Sequence, residues 1–185
     1  MTTMLPLPAD GATFSWDGDG GASTVSVRWE NEGWTADGTL VQARAQFVLR
    51  LSATWKVQQF LLFRDMAEPD LWLGTDRFGR WGEVNGAVRA DLAGCTDVLL
   101  AGTPFTASAA IRRLEHGGDV PGLVRAAVVD PETLGVTAED LRFERTSEHG
   151  WRYRSTSSGL DVDATVDGYG IVVDEPPLFF RVTSA

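Results

Sequence analysis

Between Val41 and Val57 every odd-numbered position is apolar: Val41, Ala43, Ala45, Phe47, Leu49, Leu51, Ala53, Trp55 and Val57. The even positions from Gln42 to Gln58 are polar except Val48. A period of two places successive side chains on opposite faces of a strand, one buried and one wet. The run is longer than a typical strand of 3–10 residues. It therefore forms either one long, strongly bent strand or two strands divided by a tight turn near Arg44–Ala45. Both solutions require a curved sheet.

Shorter segments repeat the pattern. Val25, Val27 and Trp29 alternate with Ser26 and Arg28 after a loop at Asp17–Gly21. Glu32–Gly33 and Asp37–Gly38 read as turn dipeptides. Leu71–Thr75 and Arg80–Val84 flank a turn at Asp76–Gly79, and Asn85–Gly86 is a hairpin signal. Trp151 and Tyr153 precede Leu160, Val162, Ala164 and Val166, after which Asp167–Gly168 turns the chain into Ile171–Asp174. Such spacing predicts a continuous antiparallel meander. Ala107–Glu115 departs from it: Ala107, Ala110, Ile111 and Leu114 recur at helical spacing, with Thr106 placed to cap the start and Gly117 the end. So short a helix needs packing to persist, and the concave face of a curved sheet supplies it. The expected fold is mainly β, a long curved antiparallel sheet wrapped around a single short α-helix, in one domain over residues 1–185.

A formal net charge of −10 argues against nucleic acid and against electrostatic attachment to anionic membranes, both of which need clustered Lys and Arg. A neutral or apolar ligand is compatible with it. Cys95 is the single cysteine, which suits a cytoplasmic protein without disulfides. Met1–Pro8 lacks the basic and apolar regions of a signal peptide, and no apolar run reaches the roughly 20 residues of a membrane helix.

Recognisable catalytic chemistry is missing. There is no nucleophile elbow, P-loop or dinucleotide fingerprint, and no cofactor is implied. His116 and His149 lie beside glycines and read as exposed turn residues, far from any metal-ligand spacing. Asp17-Gly-Asp-Gly-Gly lacks the oxygen ligand at the fifth position and the glycine at the sixth of a calcium loop, and reads as a plain loop. Asp161, Asp163, Thr165 and Asp167 alternate with apolar residues and read as the solvated face of a strand. Cys95 reads as a small buried side chain.

The stretch Leu92-Ala-Gly-Cys-Thr-Asp-Val-Leu-Leu-Ala-Gly-Thr-Pro-Phe-Thr106, followed by Ile111-Arg-Arg-Leu114, is distinctive. With Gly94, Cys95 and Asp97, then Pro104, Phe105 and Thr106, it resembles the bacterial "putative glycolipid-binding" family, formerly classed as of unknown function. Weaker agreement runs upstream through Trp16, Gly38, Trp55 and Asp76-x-x-Gly79-Arg80-Trp81. Downstream it continues through Tyr153, Gly170–Asp174, Pro176 or Pro177 and Phe180-Arg181-Val182. The family pattern has Asn, Leu and Pro between Thr106 and Ile111 and a second acid near Leu99. Here the first stretch is Ala107–Ala110, so any head-group contact made by that Asn is lost. The resemblance implies a spiral β-roll, a homodimer, and a lipid or glycolipid as partner.

Three functional readings follow. In a non-catalytic binding module, Phe47, Leu49, Leu51 and Trp55 form the wall of a concave cleft, while Trp72 and Trp81 stack on sugar or cover its mouth. Phe105 and Thr106, just ahead of the helix, are counted among the ligand-binding residues. Arg112 and Arg113 diverge by about 100°, so that one meets Asp97 or Asp76 inside the roll, as a structural ion pair or as a head-group contact, and the other faces water. The second reading is a filled interaction scaffold, dimeric through an apolar edge at Leu178, Phe179 and Phe180. The third is a hydrolase of lipids or glycans using distant carboxylates.

Overall fold

The computed structural model describes residues 4–65, 67–76 and 78–183; residues 1–3 of the amino-terminal stretch considered above lie outside them. The long alternating run resolves into one strand between two turns. Residues 41–44 turn, β4 (Ala45–Ser52) follows, and a second turn centred on Trp55 leads into β5 (Val57–Arg64). Both turns preserve the odd-numbered phase. Ala45, Phe47, Leu49, Leu51, Trp55 and Val57 are buried, whereas Val41 and Ala53, at the turns, are exposed.

The remaining strands of the first half are β1 (Ala12–Asp17), β2 (Ser23–Glu30), β3 (Gly33–Leu40), β6 (Leu71–Thr75) and β7 (Trp81–Glu83). Asn31 and Glu32 join β2 to β3 with φ of 51° and 60°, the left-handed pair that a two-residue hairpin demands. Asp37–Gly38 is not a turn: both residues lie inside β3. Gly38 pairs with Phe47, and a Cβ at Gly38 would lie 2.1 Å from the Phe47 ring. That glycine makes room for a ring.

The second half comprises β8 (Asp97–Leu100), α1 (Phe105–Gly117), β9 (Gly122–Val129), β10 (Val136–Arg145), β11 (Gly150–Ser155), β12 (Asp161–Val166), β13 (Val172–Glu175) and β14 (Phe179–Arg181). All fourteen strands form one sheet in the order β7-β6-β5-β4-β3-β2-β1-β14-β13-β12-β11-β10-β9-β8. Two meanders thus meet where the first strand pairs with the last. One step departs from the expected meander. β8 and β9 are parallel, and parallel neighbours need a crossover, which α1 provides.

The helix begins two residues earlier than expected. Thr106 is not its cap: the Phe105 N–H donates to the Thr103 hydroxyl at 3.3 Å, while the Thr106 hydroxyl accepts from the Leu100 N–H at 3.1 Å. Gly118, with φ 72°, ends it in place of Gly117, so His116 lies in its last turn. The helix is clasped from both sides. Phe105 and Ala109 join an apolar cluster built largely from β1–β5, with Phe47, Leu49, Leu51 and Phe60. Ala107, Ala110, Ile111 and Leu114 join a second cluster with Val124, Leu141, Phe143, Trp151 and Val172. Mainly β, with a curved sheet around a single helix, is the fold observed.

Candidate functional site

Strand alternation in β11 turns Trp151 and Tyr153 toward the helix side, where Tyr153 stacks on Phe143 at 4.9 Å and 12°. Burying a tyrosine ring there obliges its hydroxyl to find a partner. The partner is Glu175, the last residue of β13: Tyr153 Oη donates to Glu175 Oε1 at 2.5 Å. Glu175 is 3% exposed, and among the described residues no Lys, Arg or His pairs with it. Burial pushes its carboxyl up to about 7, against the weaker opposing effect of the Tyr153 hydrogen bond. Burial likewise holds the Tyr153 phenol well above its ordinary value, with Glu175 adding to the rise.

This pair borders a cleft of about 370 Å³ between the start of α1 and strands β8, β9 and β11–β14. Its walls are Leu99, Val128, Leu160, Val162, Leu178 and Phe179, with Thr103, Thr106 and Ala107 from the helix start. An apolar pocket of a few hundred Å³ with a few convergent polar groups is the usual form of a small-ligand site. Other depressions are more polar or shallower. One of about 590 Å³ lies along β6–β7 beside Trp72, Arg80, Trp81 and Val88. One of about 330 Å³ lies between β5, β6 and the start of β8, beside Lys56, Thr96 and Arg113.

The residues singled out in the sequence are scattered around this geometry. Thr106 lines the apolar cleft; Phe105, wholly buried, packs at the helix start in the first cluster. Phe47, Leu49 and Leu51 face inward as expected and are packed into that same cluster, away from the cleft walls. Trp55, at φ 66°, stacks on Trp34 at 5.4 Å with the Arg112 guanidinium 4.4 Å above its ring. Trp72 is half-buried beside the shallow depression. Trp81 is buried, its indole N–H donating to the Cys95 carbonyl at 2.9 Å.

Both arginines turn inward, contrary to the expectation that one faces water. Arg113 grips Asp97 through Nε at 3.0 Å to each carboxylate oxygen and Nη2 at 2.7 Å. Arg112 is held by the Tyr169 carbonyl and Trp55, and desolvation lowers its pKa to about 10 against the smaller attraction of Asp167. The i and i+1 residues both fit because α1 has sheet on two sides. Asp76 takes no part: it pairs with Arg80 at 2.7 Å and accepts the Phe78 and Arg80 backbone N–H groups.

Cys95 is buried, and desolvation pushes its thiol up to about 11. Asp161 and Asp163 are exposed, but Asp167 is drawn in by Arg181 Nη1 at 2.5 Å and by the Tyr169 and Ile171 N–H groups. The turn, not the strand face, sets its position. In the apolar edge, Leu178 and Phe180 are exposed whereas Phe179 is buried.

Glu175 escaped the sequence reading. Its available signal was indirect: Tyr153 shares the inward phase of Trp151, so a buried acceptor was required somewhere. Among the described residues no three His, Cys, Asp or Glu side chains are grouped to hold a metal ion, and no helix is long and apolar enough to cross a membrane.

Residues 13–181 match the model of a protein family described as "Putative glycolipid-binding". The fold is similar to a crystal structure of a DUF1089 family protein from Pseudomonas aeruginosa, with a TM-score of 0.66 and 21% identity over 98% of this chain and 97% of that one. No curated protein matches the sequence.

Proposed function

The chain belongs to the family described as "Putative glycolipid-binding", and we propose that it binds an amphiphile of that class without transforming it, the tail lying in the cleft beside the helix start. The observation that carries this reading is the conjunction of apolar walls with one buried polar pair, Tyr153–Glu175, at their side. Each methylene removed from water contributes about 0.8 kcal/mol, so an eight-carbon tail brings roughly 6 kcal/mol before the costs of association. Thr103 and Thr106 each accept a backbone N–H through the hydroxyl oxygen, which leaves their O–H groups able to donate to a sugar. In this reading Phe47, Leu49, Leu51 and Phe105 support the wall from behind by fixing the helix, and Trp55, Trp72, Trp81, Arg112 and Arg113 do not touch the tail.

The test is displacement of a neutral fluorescent naphthylamine probe by octyl glucoside below its micellar concentration. The expected result is saturable displacement from the wild type and its loss in Leu160→Trp, whose indole fills the cleft. Absence of probe binding, or displacement unchanged in Leu160→Trp, overturns the proposal.

A further inference from the structure

The Glu175 carboxyl is placed at the apolar cleft with, among the described residues, one hydrogen-bond partner, the Tyr153 hydroxyl, and no cation. An ionised carboxylate in such surroundings is costly unless paired. None of the molecule's described residues supplies the pair. The most enclosed of the described cations are committed elsewhere: Arg113 to Asp97, Arg145 to Glu115, Arg181 to Asp167, Arg89 to Glu83 and Asp91, and Arg112 to the Tyr169 carbonyl and the Trp55 ring. Lys56, the one lysine of the chain, borders a different depression. Apart from Glu175 and Tyr153, the cleft lining contains no titratable side chain.

We infer that the cleft selects amphiphiles that carry a cationic amine beside the apolar tail, the ammonium group completing an ion pair with the Glu175 carboxylate. The inference rests on the cleft reading above and narrows its ligand class. Three observations converge on it. The walls take a tail; the lone carboxylate takes one positive charge; and Tyr153, by donating to Oε1, fixes the carboxylate's orientation while supplying no charge. A fatty-acid carboxylate would be repelled by ionised Glu175, and a neutral sugar would leave that charge unpaired. The net charge of −10 favours the approach of cations over anions from solution. Carboxylate and ammonium entering together give a neutral, hydrogen-bonded pair, and bonds to a charged group are worth about 1.5–3 kcal/mol.

The experiment is calorimetric titration of octylammonium chloride and octyl glucoside, both below micellar concentration, at a salt concentration of about 0.15 M and a mildly alkaline pH. Glu175→Gln is compared with Asp163→Asn, which removes the same charge from an exposed site on β12. Expected is a loss of about tenfold or more in octylammonium affinity for Glu175→Gln, well beyond any change in its octyl glucoside affinity, with Asp163→Asn like the wild type for both ligands. Equal weakening by both substitutions would reduce the effect to surface charge and overturn the inference. So would octylammonium affinity that Glu175→Gln leaves unchanged. Binding of octyl glucoside without octylammonium sinks the amine preference and leaves the cleft reading standing. Binding of neither sinks both.

Discussion

Glu175 is also where single-residue chemistry reaches the stability of the fold. Its carboxyl stands at about 7 in the folded chain against 4.5 in an exposed one, so between those values the folded state holds a proton that the unfolded state has released. Stability from this group is therefore complete below about pH 4.5 and falls as pH rises through 7. At about 1.4 kcal/mol per tenfold the full effect is roughly 3 kcal/mol. Glu175→Gln mimics the protonated form at every pH. Urea melts from pH 4.5 to 8.5 are expected to show the substituted protein gaining on the wild type across this window, by up to roughly 3 kcal/mol at the alkaline end. A difference between the two that does not change with pH would refute the assignment. Exposed carboxylates held low by arginines, such as Asp161 beside Arg152, run the opposite way in both proteins and cancel in the comparison. The sequence shows little of this. Tyr153 carries a visible phase, but Glu175 is the second of two adjacent acids before two prolines, and its burial is created by β11, β13 and β14 meeting around it.

At the scale of elements, what was legible was what local periodicity encodes. Phe47, Leu49 and Leu51 face inward because strand geometry leaves them no alternative, and Ala110, Ile111 and Leu114 share a helix face for the same reason. Turn chemistry was less readable. Asp37–Gly38 has the composition of a turn, but its glycine answers to the Phe47 ring on the neighbouring strand, a contact nine residues away. The parallel placement of β8 beside β9 was equally hidden, because nothing in Asp97–Leu100 records its direction. The Asp97–Arg113 pair joins that strand to the helix, with Asp97 at 2% and Arg113 at 13% side-chain exposure. Removing one member of so enclosed a pair strands the other, at a cost of about 3–5 kcal/mol. Asp97→Ala is expected to fall near the lower figure, since Arg113 retains some contact with water. Asp97→Ala with Arg113→Met should recover most of the loss, because the orphaned charge is gone. Chemical denaturation of the double variant and of each single one, Arg113→Met included, checks this: a double substitution as unstable as the sum of the two singles would mean that the two residues act independently.

Across the whole molecule, the sheet is continuous only through the pairing of β1 with β14, where Trp16 meets Arg181 and Asp17 meets Phe180. Two register pairs are a narrow joint between two seven-stranded halves, and side chains reinforce it. Arg181 lies 5.0 Å from the Phe14 ring centroid and 5.8 Å from that of Trp16. It donates through Nη2 to the Ile171 carbonyl at 2.9 Å and binds Asp167, while the Trp16 indole N–H donates to the Val172 carbonyl at 3.0 Å. One arginine thus ties β1 and β14 to the turn before β13. Contacts between residues so distant in sequence form against a large chain entropy and make folding slow. Arg181→Met keeps much of the apolar stem but removes the charge and the fork of donors. It is expected to destabilise the protein by about 2 kcal/mol, less than a fully buried pair because both partners retain some exposure. Hydrogen exchange should then show earlier loss of protection in β1, β13 and β14 than in β4 and β10, the interiors of the two halves. Uniform loss across all of these strands would mean that the joint is not where the two halves part.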